Sequence, residues 1–180
     1  MPIFALSARQ VAYFQPHCYD ERQSVLNEEY KEPNTQSGAK QNLITMSYPI
    51  AQIEGIGEVY AEKLKAAGIK TVEELLEKCA APKGRAALEE ATGISHKLIL
   101  KWTNHADLMR INGVGGQFAE LLEGAGVDTI KELRNRNAEN LHAKLAEVND
   151  AKNLVNRVPA LSEVERMIAQ AKELEPVITY

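Results

Sequence analysis

Aromatic side chains are scarce in this chain. Three Phe, six Tyr and one Trp among 180 residues leave the core to Leu, Ile, Val and Ala. Cysteine is scarcer still: Cys18 and Cys79 are the only two, in unrelated surroundings. That excludes a disulfide framework and points to a reduced, cytoplasmic protein. His17 beside Cys18 is an isolated pair of potential ligands with no neighbouring metal-ligand pattern. No apolar run approaches the length of a membrane span, and Met1–Leu6 lack a basic leader, so neither membrane insertion nor export is expected. A basic excess is missing too. Lys and Arg number 21 against 25 Asp and Glu, a formal net charge of −4, whereas a dedicated nucleic-acid binder usually carries the opposite balance.

Enzyme signatures are also lacking. Gly113-Val114-Gly115 is followed by Phe118 where a dinucleotide fingerprint needs its third glycine, and no strand precedes it. There is no Gly-Lys-Ser/Thr phosphate loop, and no Ser-His-acid or Cys-His arrangement stands out. Glu54 and Glu58 form a carboxylate pair without any sign of a substrate pocket. The expectation is therefore a non-catalytic protein with no cofactor and no metal.

What the chain does have is an internal duplication. Ile53-Glu54-Gly55-Ile56-Gly57, Ala61, Leu64, Ala67-Gly68-Ile69, Thr71-Val72 and Leu75 are matched further along. The counterparts are Ile111-Asn112-Gly113-Val114-Gly115, Ala119, Leu122, Ala125-Gly126-Val127, Thr129-Ile130 and Leu133. The interval is constant and ungapped (113 − 55 = 58; 126 − 68 = 58). A duplicated unit of that length must supply its own small core or share one with its twin.

The helix punctuation supports an all-α reading. Ser47 with Pro49 reads as a first helix start. A helix from about Glu58 to Ala67 stops at Gly68. Thr71-Val72-Glu73-Glu74 is a capping box, and Thr129-Ile130-Lys131-Glu132 is its counterpart. Ala86 to Thr92 forms a further helix ended by Gly93. Ser95 caps a longer one carrying Leu98, Ile99 and Trp102 on one face. Leu141, Leu145 and Val148 continue the second unit, and Ser162-Glu163-Val164-Glu165 reads as a third capping box. Strand signals are confined to the Val177–Tyr180 tail. Residues before Tyr48 lack a steady period, and Glu32–Asn42 is polar and turn-rich, so 1–47 read as a disordered, mobile arm. Met46 is a candidate functional start, which would make the arm a gene-model extension. The domain reading is an arm over 1–47, one unit over 48–107 and a second over 108–180.

A helix that ends in Gly-x-Gly and restarts at once presents unpaired N–H groups beside a tight turn. With the positive end of the helix dipole they form an anion site suited to a phosphate of a nucleic-acid backbone. Such contacts read no bases. The candidate phosphate-binding residues are Gly113, Val114, Gly115 and Gly116, with Gly55, Ile56 and Gly57 as a second set.

The x-Gly-[Ile/Val]-Gly pattern followed by an Ala- and Leu-bearing helix resembles the helix-hairpin-helix motif. Its continuation through Ala67-Gly68-Ile69-Lys70-Thr71 and Thr92-Gly93-Ile94-Ser95 is similar to the N-terminal helix-hairpin-helix domain of archaeal and eukaryotic recombinases. Two units joined by Trp102–Leu108 resemble a bacterial family of unknown function (the domain-of-unknown-function family 4332 type) built from paired helix-hairpin-helix domains. The resemblance covers about Tyr48 to Tyr180. It implies two tandem helix-hairpin-helix (SAM-like) units and DNA binding through hairpin amides, with no catalytic role.

The chain departs from that pattern at acids. Glu54 precedes the first hairpin glycine, and Glu58 and Glu62 follow, where they repel a phosphate. The second hairpin is cleaner, with Arg110 before it and Gly116-Gln117 after it. Lys78, Lys83 and Arg85, then Lys97 and Lys101, then Lys131, Arg134 and Arg136 form loose basic groups among interleaved acids. They read as a solvated mixed-charge surface or as backbone contacts. Trp102 reads as core where the units meet; His96, His105 and His142 read as surface or cap residues. The expected partner is therefore DNA, bound weakly and without sequence preference. The alternative is a protein partner for a module that keeps the fold without binding DNA.

Overall fold

The computed structural model describes residues 47–180. The expectations for the arm and for a start at Met46 lie outside the described residues. A short 3-10 turn, Ile50–Gln52, is followed by eight helices: α1 (Glu58–Ala66), α2 (Val72–Cys79), α3 (Pro82–Thr92), α4 (His96–Leu108), α5 (Gly116–Gly124), α6 (Ile130–Leu133), α7 (Ala138–Lys152) and α8 (Leu161–Glu173). The all-α class expected from the sequence is observed. Among the described residues the sole β feature is an isolated bridge between Pro49 and Thr71. The tail around Val177–Tyr180 forms no strand; it is held instead by Thr179 N–H donating to the Ala80 carbonyl at 3.0 Å.

Equivalent positions of the 58-residue interval adopt the same backbone. Gly55 and Gly113 lie at φ 86° and 87°, a region in which a side chain is strained. Ile56 N–H donates to the Ile53 carbonyl at 3.1 Å, and Val114 N–H to the Ile111 carbonyl at 3.0 Å. Helices α1 and α5 then begin at Glu58 and Gly116, again 58 apart. Ten residues after Gly68 and Gly126 stand Lys78 and Arg136. Each turns its cation back onto that glycine carbonyl, Lys78 Nζ at 2.6 Å. These cations sit where the helix dipole is negative and close the ends of α1 and α5.

Several caps differ from the expectation. Thr71 and Glu74 do form the capping box at α2, with Glu74 N–H to Thr71 Oγ1 and Thr71 N–H to Glu74 Oε2 both at 3.2 Å. Its counterpart Thr129 is buried and makes no side-chain cap; the N–H of Ile130 donates to Asp107 Oδ2 at 2.9 Å instead. Ser95 does not cap α4 with its side chain either; the first N–H of the helix, that of His96, is taken by Glu89 Oε1. Ser47 starts no helix; its hydroxyl donates to Glu73. Helix α3 begins at Pro82 rather than Ala86, since proline at the first helical position has no N–H to leave unpaired. Helix α8 begins at Leu161, one residue before Ser162, with Glu163 accepting the Ala160 N–H at 2.7 Å.

One hydrophobic cluster runs through both halves of the described chain, from Ile50 to Ala171. Its centre is α4, which packs on α2, α3 and α5. Every residue from Trp102 to Met109 is buried. A helix surrounded on all sides should be apolar, yet Thr103, Asn104, His105 and Asp107 lie in this stretch. Thr103 Oγ1 donates to the Ile99 carbonyl at 2.7 Å. Asp107 accepts from Arg110 Nη1 at 2.8 Å and from Ile130 N–H. Arg110 in turn donates to the Glu175 carbonyl at 3.0 Å. Trp102 meets Tyr60 edge-on with ring centroids 5.1 Å apart, so its place in the core is observed.

Asp107→Ala takes one acceptor from the Arg110 guanidinium, which keeps the Glu175 carbonyl, and leaves the first N–H of α6 without any. A loss of about 3 kcal/mol is expected, measured by urea unfolding. Gly116→Ala adds a methyl group that runs into the Gln52 carbonyl oxygen and lies 3.1 Å from Glu54 N. Because both neighbours are backbone, the expected cost is about 1–3 kcal/mol despite alanine's better helix propensity. A Gly116→Ala protein as stable as wild type would show that the two loops part without cost.

Candidate functional site

The two Gly-x-Gly turns lie side by side. A shallow open cleft of about 380 Å³ separates them, lined by Gln52 and Glu54 on one wall and by Gly113, Gly115, Gly116, Gln117 and Phe118 on the other. Close approach at Gly116 brings the loops into contact, so Gly116 is buried and has a packing reason to be glycine. By sequence pattern alone it groups with the ligand-facing glycines.

Gly57 and Gly115 are different. They are the N-caps of α1 and α5, at φ −75° and −97°, ordinary extended backbone open to any residue. Nothing lies within 4 Å of a Cβ at either position. Neither dihedral strain nor packing demands glycine there. Neither helix has a side-chain cap, so the first-turn N–H groups of both are left to an outside acceptor. The same open space lies over Gly113, whereas Gly55 is 3.5 Å, measured from an added Cβ, from the Trp102 indole nitrogen. Ile56 and Val114 point their side chains into the core, and their N–H groups are already given to the Ile53 and Ile111 carbonyls.

The electrostatics around the hairpins are mixed. Glu54 lines the cleft, and Glu58 and Glu62 are exposed on α1. Arg110 is committed to Asp107 and Glu175 and is only a quarter exposed, so it is not the free cation expected beside the second hairpin. The basic groups have similar internal duties. Lys78 and Arg136 close helix ends, and Arg134 donates to the Lys172 carbonyl. Lys101 pairs with Glu123 at 2.8 Å. Arg85 is buried, with Nη1 on the Cys79 and Ala80 carbonyls and Nη2 on the Thr179 carbonyl. The ammonium groups of Lys83, Lys97 and Lys131 make no hydrogen bond or ion pair among the described residues.

His105 corrects the surface assignment. Its side chain is wholly buried, with Nε2 3.1 Å from Glu123 Oε2 and Nδ1 without a partner among the described residues. The alternation Leu98, Ile99, Trp102 marks one apolar face and gives no hint that α4 is enclosed on the others. His96 and His142 are partly exposed. Burial pushes the His105 ring below its ordinary value near 6.5, against the opposing pull of Glu123. Burial also raises the Glu123 carboxyl, but the Lys101 hydrogen bond and His105 outweigh it and leave it below the usual range. Cys79, buried beside Arg85, has its thiol pushed up to about 11 by burial, which makes it unreactive. Among the described residues no three His, Cys, Asp or Glu side chains gather as a metal cage, and no helix is long and apolar enough to cross a membrane.

A protein-family model described as "Domain of unknown function (DUF4332)" matches residues 54–174, two thirds of the chain and both hairpins. No curated protein and no solved structure matches.

The His105 environment has a pH consequence. A lowered folded-state value means that the unfolded chain takes up the proton first. The stabilisation is therefore complete above about 6.5 and is lost as pH falls through the folded value, and Glu123 adds a further loss at more acid pH. Melting curves between pH 8 and 5 are expected to show Tm falling below pH 6.5 in wild type. The fall is smaller in His105→Gln, which keeps a donor toward Glu123 but does not titrate.

Proposed function

The chain belongs to the DUF4332 family, and we propose that it is a non-catalytic protein that binds DNA weakly and without sequence preference. In this reading the two units, 48–107 and 108–180, are tandem helix-hairpin-helix modules. The backbone amides of Gly113, Gly115 and Gly116 hold one phosphate, and those of Gly55 and Gly57 hold a second. A cytoplasmic setting belongs to the same proposal.

The observation that carries the reading is the bare N-cap. Glycine is an accepted N-cap, roughly a few tenths of a kcal/mol worse than Ser, Thr, Asp or Asn, but it brings no side-chain acceptor of its own. Both hairpins place a glycine where neither φ nor packing calls for one. What glycine provides there is room, so that an anion can approach the first-turn N–H groups and the dipole end without meeting a side chain. The start of α5 lines the cleft, and Gly57, ahead of α1, follows shortly after Glu54 on the opposite wall; in this reading one duplex supplies both phosphates. Contacts to phosphate alone read no sequence.

The rival reading is a protein-interaction module. It is favoured by Glu54 in the cleft wall and by Val59, which is 68% exposed in the first turn of α1. A phosphate is repelled by the first, while an apolar partner would cover the second.

Titration of a fluorescent duplex with the full chain separates them. The expected affinity is micromolar or weaker, with a log–log salt slope of about −2 for two phosphates. Gly115→Val covers the amides without backbone strain and is expected to weaken binding about tenfold or more. Glu54→Gln removes a repulsion across the cleft and is expected to strengthen binding about two- to threefold. Absence of binding at low salt in both wild type and Glu54→Gln would retire the DNA reading in favour of a protein partner.

A further inference from the structure

The two hairpins are held in place by different means. The first rests on Trp102, whose indole nitrogen lies beneath Gly55. The second has open space over Gly113 and is instead reached by a side chain from the far end of the chain. Gln170, on α8, turns its amide onto the entry to this turn: Oε1 accepts the Asn112 N–H at 3.0 Å, and Nε2 lies 3.5 Å from the Arg110 carbonyl. At the first hairpin the corresponding N–H, that of Glu54, finds no acceptor among the described residues. Arg110 is itself tied to Asp107 and to the Glu175 carbonyl. Residues 110 and 112 are therefore fixed from both sides, and the glycines that follow have their starting direction set.

We propose that Gln170 is the positioning residue of the second hairpin, holding the Asn112 peptide so that the amides of Gly113, Gly115 and Gly116 converge before any ligand arrives. The proposal deepens the DNA reading and rests on it for its functional consequence. Its physical basis is preorganisation. Donors already fixed in direction lose less freedom when an anion binds, so fixing them raises affinity without adding a contact. Gln170 supplies that fixing without a formal charge near the phosphate. It touches no ligand itself.

Hydrogen exchange of the full chain tests the positioning without DNA, and duplex titration tests its consequence. Gln170→Met keeps the side-chain length and removes both polar contacts; Gln170→Glu keeps an acceptor for the Asn112 N–H. In Gln170→Met the Asn112 and Val114 amides are expected to exchange about fivefold faster while the Ile56 amide is unchanged, with Tm close to wild type. Duplex affinity is expected to fall about fivefold at an unchanged salt slope. Gln170→Glu is expected to restore slow Asn112 exchange and still bind DNA poorly, because its carboxylate stands beside the phosphate. Unchanged exchange in Gln170→Met overturns the proposal. So does faster exchange with undiminished DNA affinity. Should wild type bind no duplex, the DNA reading fails, and the exchange result still decides whether Gln170 holds the hairpin.

Discussion

The carboxylate of Asp107 is buried at the end of a helix that is itself buried, and much of the architecture is arranged around satisfying it. One oxygen accepts from Arg110 and the other from the first N–H of α6. A carboxylate in such a place is tolerated only when its lone pairs are occupied by well-placed donors. Meeting that demand links four parts of the chain. The end of α4 is joined to the start of α6, Arg110 is fixed just ahead of the second hairpin, and through Arg110 the tail at Glu175 is drawn in. It also explains why Thr129 need not cap α6 and can be buried.

The same economy governs the cations. In a chain with a net charge of −4, six Lys and Arg side chains of the described residues are turned onto backbone carbonyls. Lys78 and Arg136 do so at equivalent positions after the two glycine turns, and Arg85 does so at the junction of α2 and α3, where it also holds the tail. At the hairpins, where Arg110 is committed to Asp107 and Glu175, an anion site depends on amides and helix dipoles more than on side-chain charge. Affinity built that way is modest, and so is its dependence on salt.

Between the hairpins the differences matter as much as the likeness. One is seated on an indole and brings Glu54 to the cleft wall; the other is open above Gly113 and strapped by Gln170. Two turns of nearly identical backbone thus offer unequal surfaces, because the elements beneath them come from parts of the chain that were not duplicated alike. Helix α8 follows α7 as α4 follows α3, but it begins 65 residues after α4 rather than 58 (161 − 96 = 65).

Local and periodic features are legible in the order of the residues themselves. The all-α class, the turns at Gly55 and Gly113, the Thr71 capping box, the stop at Gly93 and the burial of Trp102 rest on interactions within a few residues or on a regular apolar period, and both are written in order along a chain. The paired bonds from Lys78 and Arg136 are in principle legible too, as cations ten residues after each glycine. What only the tertiary structure decided is which polar residues end up inside and which long-range partner reaches them. His105 and Asp107 sit in a run, Thr103-Asn104-His105-Ala106-Asp107, that reads as solvent-facing until α2, α3 and α5 close around α4. Gly116 gains a packing duty once Gln52 is pressed against it, and Arg110 reads as free until Glu175 arrives. These outcomes depend on contacts between segments far apart in the chain, for which no local pattern exists. The sequence alone therefore marked the helices and turns, while packing assigned the duties of their polar side chains.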